Sequence, residues 1–133
     1  MATAANPTPR AMLWTGRALS GLLIAFMAFD TVIKLVDLPV VQQTMIQMGI
    51  PPHLDRTIGV IELICLGLYA IPRTAVLGAI LLTAVFGGAI ASHLRIGSPL
   101  VGFTLFGVYL GLMTWGGLWL RNPALRALIP LRR

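Results

Sequence analysis

The chain has few charged residues and almost no cysteine. Charged side chains make up 11% of its 133 residues, and it holds four carboxylates, two histidines and one cysteine, Cys65. A single cysteine excludes an intrachain disulfide and a Cys-x-x-Cys redox pair. Two histidines are too few for a multi-histidine di-iron centre, and the sequence contains no phosphate loop or nucleophile elbow. The residues therefore name no reaction, and the sequence does not decide whether the protein is an enzyme.

Apolar residues, in contrast, make up 57% of the sequence. Four stretches reach the roughly 20 residues that cross a hydrocarbon core about 30 Å thick. We expect one domain, an all-α integral membrane four-helix bundle, with no room for a soluble catalytic domain. The expected spans are residues 16–36, 53–71, 74–94 and 100–120, between a flexible cytoplasmic tail at 1–15 and a basic cytoplasmic tail at 121–133.

The segment between the first two expected spans has a different pattern. Pro39 begins it, Gly49 follows it, Val41 and Met45 fall on one helical face, and glutamines fall largely on another. A proline at the start and a glycine past the end are typical of helix boundaries. The two faces predict a short amphipathic helix at the membrane interface. Such a helix is either a simple linker between spans or a lid over a neighbouring polar site.

Basic residues are unevenly divided between the two ends of the expected spans. Lys34, Arg56 and Arg95 lie at one end, and seven arginines lie at the end that holds both termini. Cytoplasmic segments of membrane proteins carry an excess of Lys and Arg, so we expect a multi-pass protein with both termini in the cytoplasm. This orientation explains the formal net charge of +6 better than nucleic-acid binding does.

Five ionisable residues from three expected spans share one depth, in the half of the bundle away from the termini. Asp30, the deepest acid of the first span, lies six residues before the end of that span, which is a depth of about 9 Å at 1.5 Å per residue. An ionisable side chain inside a span costs on the order of 3 kcal/mol, so it faces protein or water and marks a candidate functional site. The five residues are Asp30, Lys34, Glu62, His93 and Arg95.

Two interpretations of these five residues stay open at this level. They form a salt-bridge network that fixes helix register, or they line a pocket that binds a ligand or moves protons. In the second interpretation Glu62 and His93 are the candidate acid and base, and Cys65 and Tyr69, on a similar face to Glu62, are expected in the cavity wall. The spacing of the acids and His93 is not typical of a metal site, so no metal is expected.

Small residues four apart in the third and fourth expected spans predict close helix packing. They include Gly87, Gly88, Gly107 and Gly111. A homodimer through Gly107 and Gly111 is a further expectation from the same pattern.

Several segments resemble the DoxX-like family, over nearly the whole chain from Arg17. They include Phe29-Asp30-x-x-x-Lys34-Leu35, Gly49-Ile50-Pro51, Glu62 and, as the most specific part, residues 72–95 with His93 and Arg95. The resemblance implies a four-span bundle in the bacterial inner membrane but no settled activity. Relatives have been associated with quinone-linked sulfur oxidation, with membrane-tethered thiol and superoxide defence, and with receptor assembly.

Three hypotheses of function follow. The first is a polar pocket in the outer half of the bundle that binds a quinone- or lipid-like molecule, as part of a membrane redox system. The second is an assembly or scaffold protein in the bilayer, whose ion network is only structural. The third is a membrane isomerase or hydrolase that uses Glu62 and His93 as acid and base.

Overall fold

The computed structural model describes residues 8–132, which form helices and contain no strand. Single turns of 3-10 helix lie at Pro52–Leu54 and Pro72–Thr74, and a short π-helical stretch lies at Leu100–Thr104. The helices are α1 (Arg10–Leu35), α2 (Pro39–Gln47), α3 (Asp55–Ala70), α4 (Ala75–Arg95), α5 (Phe106–Arg121) and α6 (Pro123–Leu128). The all-α prediction is confirmed.

Prolines and residues with positive φ set the helix boundaries. Pro39 is the first residue of α2, where a missing N–H costs nothing because the first turn has no partner for it. Gly49 and Gly97, with φ of +73° and +71°, follow α2 and α4. The N–H of the residue after each glycine bonds back to a carbonyl of the last helical turn, which is the Schellman arrangement.

The ends of the chain differ from the expected boundaries. Helix α1 begins at Arg10, six residues before the expected start of the first span, and α6 lies inside the segment expected to be a basic tail. Asn122 caps α6, because its side-chain oxygen accepts hydrogen bonds from the Ala124 and Leu125 N–H groups. Residues 1–7 of the expected tail, and Arg133, lie outside the described residues.

The four longer helices pack in the order α1, α3, α4, α5, with α5 returning against α1. Helix α2 crosses one end of this group and packs on the start of α3. The core between them is apolar, with Leu23, Ala79 and Leu82 fully buried. Large apolar side chains such as Phe29 and Leu112 are about two thirds exposed, at 65% and 67%, which suits contact with lipid.

Three helical stretches within residues 8–132 are long and apolar enough to cross a membrane: Arg10–Leu35, Pro72–Arg95 and Leu100–Arg121. Helix α3 has 16 residues and does not reach the length of these stretches. At 1.5 Å per residue it is about 24 Å long, shorter than a typical hydrocarbon core. The fourth expected span therefore stays a prediction.

Close helix packing involves one of the four expected glycines, Gly107, and several others that were not expected. A Cβ at Gly87, Gly88 or Gly111 would meet nothing within 4 Å, so the packing predicted there is not found inside the protomer. Gly107 does meet a neighbour, because its Cβ would lie 2.8 Å from Ile90 of α4. Since Gly107 is buried within the chain, the expected dimer through it and Gly111 is not supported. The tightest approaches are at Gly16, Gly78 and Gly117.

Candidate functional site

Lys34 joins the acids of two helices in one ion cluster. Its Nζ lies 2.6 Å from Asp30 Oδ2, one turn away on α1, and 2.5 Å from Glu62 Oε1 on α3. Gly59 allows this approach, since a Cβ there would lie 3.2 Å from the Lys34 Cβ. The Thr31 hydroxyl donates to the second Glu62 oxygen at 3.5 Å. Side chains of α1 and α3 therefore form one ion cluster.

The ion cluster contains more acidic groups than basic groups. Asp30 and Glu62 supply two carboxylates and Lys34 supplies one ammonium, whose three N–H donors include one that neither acid uses. The exposed fraction of the side chain is 28% for Asp30, 5% for Glu62 and 20% for Lys34, so the cluster is largely removed from water. It therefore has one acid more than it has bases, and one N–H of the ammonium has no partner among the described hydrogen bonds.

A cavity of about 490 Å³ adjoins the ion cluster. Its walls are mostly apolar, and Phe26 and Phe106 meet edge to face on one side with ring centroids 5.3 Å apart. Helix α2 forms part of the wall through Thr44 and Met45. The polar groups at the cavity belong to Asp30, Lys34, Thr44, Glu62, Ser92 and His93. The cavity is thus an apolar space with charged groups on one part of its wall.

His93 borders the same cavity but does not bond to the acids. Its Nδ1 lies 3.0 Å from the Ser98 hydroxyl, and its ring lies 6.0 Å from that of Phe103. Ser98 is held in turn, because its N–H bonds to the His93 carbonyl at 3.1 Å. This arrangement orients the imidazole and leaves Nε2 without a partner in the described hydrogen bonds.

Arg95 lies outside the cavity wall and has a different contact from the one expected. Its guanidinium donates to the backbone carbonyl of Met48, directly after α2, and passes beside Gly49. A cation near the carboxyl end of a helix satisfies carbonyls that have no partner in the helix. Arg95 therefore attaches the end of α2 to the end of α4 and does not join the ion cluster.

Cys65 and Tyr69 do not line the cavity, contrary to the prediction. Both are buried, but they lie further along α3, where α1, α3 and α5 have closed around the core. The Tyr69 hydroxyl lies 2.8 Å from Ser20 Oγ and donates to the Thr114 carbonyl at 2.7 Å. Cys65 and Tyr69 do lie on a similar helix face to Glu62, but the sequence does not show where along that face the cavity ends.

A second polar cluster surrounds Tyr69, and the sequence interpretation missed it. Arg121 donates to Ser20 Oγ at 3.1 Å and to the Gly117 carbonyl at 3.2 Å. Gly16 and Gly117 bring α1 and α5 close enough for these bonds. The sequence feature that could have indicated this cluster is the pair of small residues four apart on α1, Gly16 and Ser20, together with Gly117 on α5.

Within residues 8–132 no group of three or more His, Cys, Asp or Glu side chains is arranged to hold a metal ion. The polar groups on one part of the cavity wall offer hydrogen bonding, charge and proton exchange.

No curated protein and no solved structure matches the chain. A family model described as the DoxX-like family matches residues 18–117, which include the ion cluster, the cavity and the Arg95 contact. The match covers most of the chain and agrees with its long apolar helices. The chain therefore belongs to the DoxX-like family and is a membrane protein.

Proposed function

We propose that the protein binds an amphiphile, a quinone- or lipid-like molecule, in the cavity beside the ion cluster. The observation that carries this proposal is the combination of an apolar cavity of about 490 Å³ with charged groups on one part of its wall. Ligand sites are typically apolar cavities of this size with a few polar groups that orient the ligand. An amphiphile matches both parts of the wall.

The polar groups favour a head group that accepts hydrogen bonds. The unused N–H of Lys34 suits a carbonyl oxygen, and Asp30 and Glu62 hold that ammonium in place. The two acids that already contact the Lys34 ammonium disfavour an anionic head group, because like charges repel strongly where water is scarce. A quinone carbonyl meets both conditions.

Proton exchange with the head group is the expected chemistry. Reduction of a quinone to a quinol takes two electrons, which a separate membrane redox partner would supply, and two protons. Glu62 and His93 border the same cavity and carry groups that can give or take protons. In this proposal they relay the protons.

We further propose that α3 is the fourth span of a four-helix bundle and that α2 lies at the outer membrane interface. Support comes from the antiparallel packing, which brings Arg121 at the end of α5 to Gly16 near the start of α1. Lys34 and Arg95 lie at the opposite end, so the arginine-rich end is the cytoplasmic one if the usual charge bias applies. For a family member in bacteria this is the inner membrane.

Two neighbouring glycines of α4 allow a matched test of the cavity. Gly88 lines the cavity and Gly87 does not, and a Cβ at either position would meet nothing within 4 Å. Gly88→Phe should fill the cavity, while Gly87→Phe should place the same ring outside it. The measurement is the thermal stability of purified protein with a short-tailed benzoquinone, together with mass spectrometry of co-purified lipids and quinones.

The wild-type protein and Gly87→Phe should be stabilised by the benzoquinone and should carry the same bound molecule. Gly88→Phe should bind at least tenfold more weakly. A benzoquinone that stabilises all three proteins equally, or none of them while nothing co-purifies, would refute the proposal and leave the ion cluster a structural role.

A further inference from the structure

The cavity beside the ion cluster extends around one side of α4. Successive residues of a helix are about 100° apart, so Phe86 and Ala84 lie on nearly opposite faces of α4. Both line the cavity, and so do Val85 and Gly88, which lie between them on one side of the helix. Gly87 lies on the other side of α4 and does not line the cavity. The cavity therefore leaves the core of the bundle along one side of this helix.

That side of α4 is the one that faces α3. Gly78 lies two helical turns before Val85 and so on the same side, and a Cβ there would overlap the Tyr69 backbone of α3. Further along α4, in contrast, a Cβ at Gly88 would meet nothing within 4 Å. On α3 the cavity is lined by Ile61, whose side chain is exposed. The two helices are thus in tight contact near the turn that joins them and leave an opening beside the cavity.

Contacts close the other three boundaries between neighbouring helices. The ion cluster joins α1 to α3. The rings of Phe26 and Phe106 meet between α1 and α5, with centroids 5.3 Å apart, and Gly107 of α5 lies against Ile90 of α4. Among the hydrogen bonds, ion pairs and aromatic contacts within residues 8–132, none joins α3 to α4 beside the cavity. The opening between α3 and α4 is therefore the side route into the cavity.

The end of the cavity is covered by α2. Met45 of this helix and Met48 directly after it line the cavity. Arg95 donates to the Met48 carbonyl and so attaches this cover to α4. A ligand that arrived through the covered end would have to displace α2, whereas the opening at Ile61 and Ala84 is apolar and faces the surface that contacts lipid.

The size of the cavity separates the head group of an amphiphile from its tail. A cavity of about 490 Å³ is roughly 10 Å across, whereas a lipid chain spans one leaflet of the hydrocarbon core, about 15 Å. The cavity can hold a ring or head group beside the ion cluster but not a whole long-chain lipid. The remainder of the chain needs an outlet.

We infer that the ligand is a lipid-resident amphiphile with a long hydrocarbon chain, which enters sideways between α3 and α4 and keeps its chain in that opening. This inference rests on the proposed function, because it concerns the same cavity. The head group lies beside the ion cluster, and the chain passes Ile61 and Ala84 into the surrounding lipid. Since the opening and the lipid are similarly apolar, the chain adds little affinity, but a ligand whose chain has no outlet does not fit.

Two benzoquinones with the same ring test this inference, one with a long alkyl chain and one with a methyl group in its place. Binding is measured in lipid nanodiscs, with each compound expressed per lipid. The wild-type protein should bind both with similar affinity. Ala84→Trp places a large ring at the opening and should weaken binding of the long-chain compound by about tenfold more than that of the methyl compound. Ile61→Trp should have the same effect from α3, whereas Gly87→Trp, the matched control, should keep the wild-type ratio.

A phospholipid that carries a photoreactive diazirine in its acyl chain tests the opening without a quinone. After illumination, peptide mass spectrometry should find the label on Phe86 and Leu110, which are buried and line the inner part of the cavity. Ala84→Trp should reduce this labelling, and Gly87→Trp should not.

The two measurements separate this inference from the proposed quinone. Label on the inner wall without binding of either benzoquinone supports the side opening and excludes a quinone as its ligand. A wild-type binding ratio in both Ala84→Trp and Ile61→Trp would overturn the inference, even if both benzoquinones bind. The absence of label from Phe86 and Leu110 in the wild-type protein would also overturn it.

Discussion

Replacing Lys34 by methionine removes the ammonium that lies between Asp30 and Glu62 and leaves both carboxylates at the cavity. Truncating one partner of a buried ion pair costs about 3–5 kcal/mol, because the remaining charge has no compensation. The Asp30 side chain is 28% exposed, so water offsets part of this loss. We expect Lys34→Met to lower the free energy of unfolding by about 2–3 kcal/mol at pH 7.

Glu62→Gln is the matched comparison, because it removes one carboxylate and leaves Lys34 paired with Asp30 in a neutral cluster. The amide oxygen of the new glutamine can still accept from Lys34, so the expected loss is below about 1 kcal/mol. The two variants change the same contact, which measures 2.5 Å between Lys34 Nζ and Glu62 Oε1. They differ in the sign of the charge that is removed.

The assay is reversible unfolding in mixed micelles with increasing dodecyl sulfate, followed by circular dichroism. The loss caused by Lys34→Met should shrink as the pH falls, because protonation of Asp30 and Glu62 removes the uncompensated charge. The loss caused by Glu62→Gln should change less. If Lys34→Met costs no more than Glu62→Gln at pH 7, the charge balance that we assign to the ion cluster is wrong.

Two further predictions concern helix packing and the second polar cluster. Gly78→Ala should destabilise the protein by about 2 kcal/mol or more, because the new Cβ would overlap the Tyr69 backbone. Gly87→Ala is the control and should be neutral or slightly stabilising, since a Cβ there meets nothing within 4 Å. Equal unfolding curves for the two variants would contradict this prediction. Tyr69→Phe should lower the free energy of unfolding by about 1–2 kcal/mol, because the hydroxyl's hydrogen bond to the Thr114 carbonyl and its contact with Ser20 are lost. Unchanged stability in the same assay would contradict this prediction.

Much of the fold could be predicted because local signals determine it. Pro39 and Gly49 enclose α2 in the structure as they do in the sequence pattern. Asp30 and Lys34 are four residues apart, so any helix through them places the two side chains on one face. The depth of Glu62 along its helix was likewise sufficient to expect it near that pair.

Other contacts could not be predicted, since they depend on how each helix is rotated about its axis. Helices that are apolar on all sides have no polar face to indicate which residues meet a neighbour. Gly87 and Gly107 therefore looked equivalent in sequence, yet only the second meets another helix. The partner of Arg95 is a backbone carbonyl, which every residue has and no sequence pattern marks.

Apolar length and residue spacing act along the chain, so they are enough to identify an all-α membrane protein of the DoxX-like family. Which polar groups share a cavity, and which join one helix to another, depends on contacts that form only when the helices pack. Ser20, Tyr69 and Arg121 show the reason most directly. They are far apart in the chain, and their hydrogen bonds form only where α1, α3 and α5 pack together.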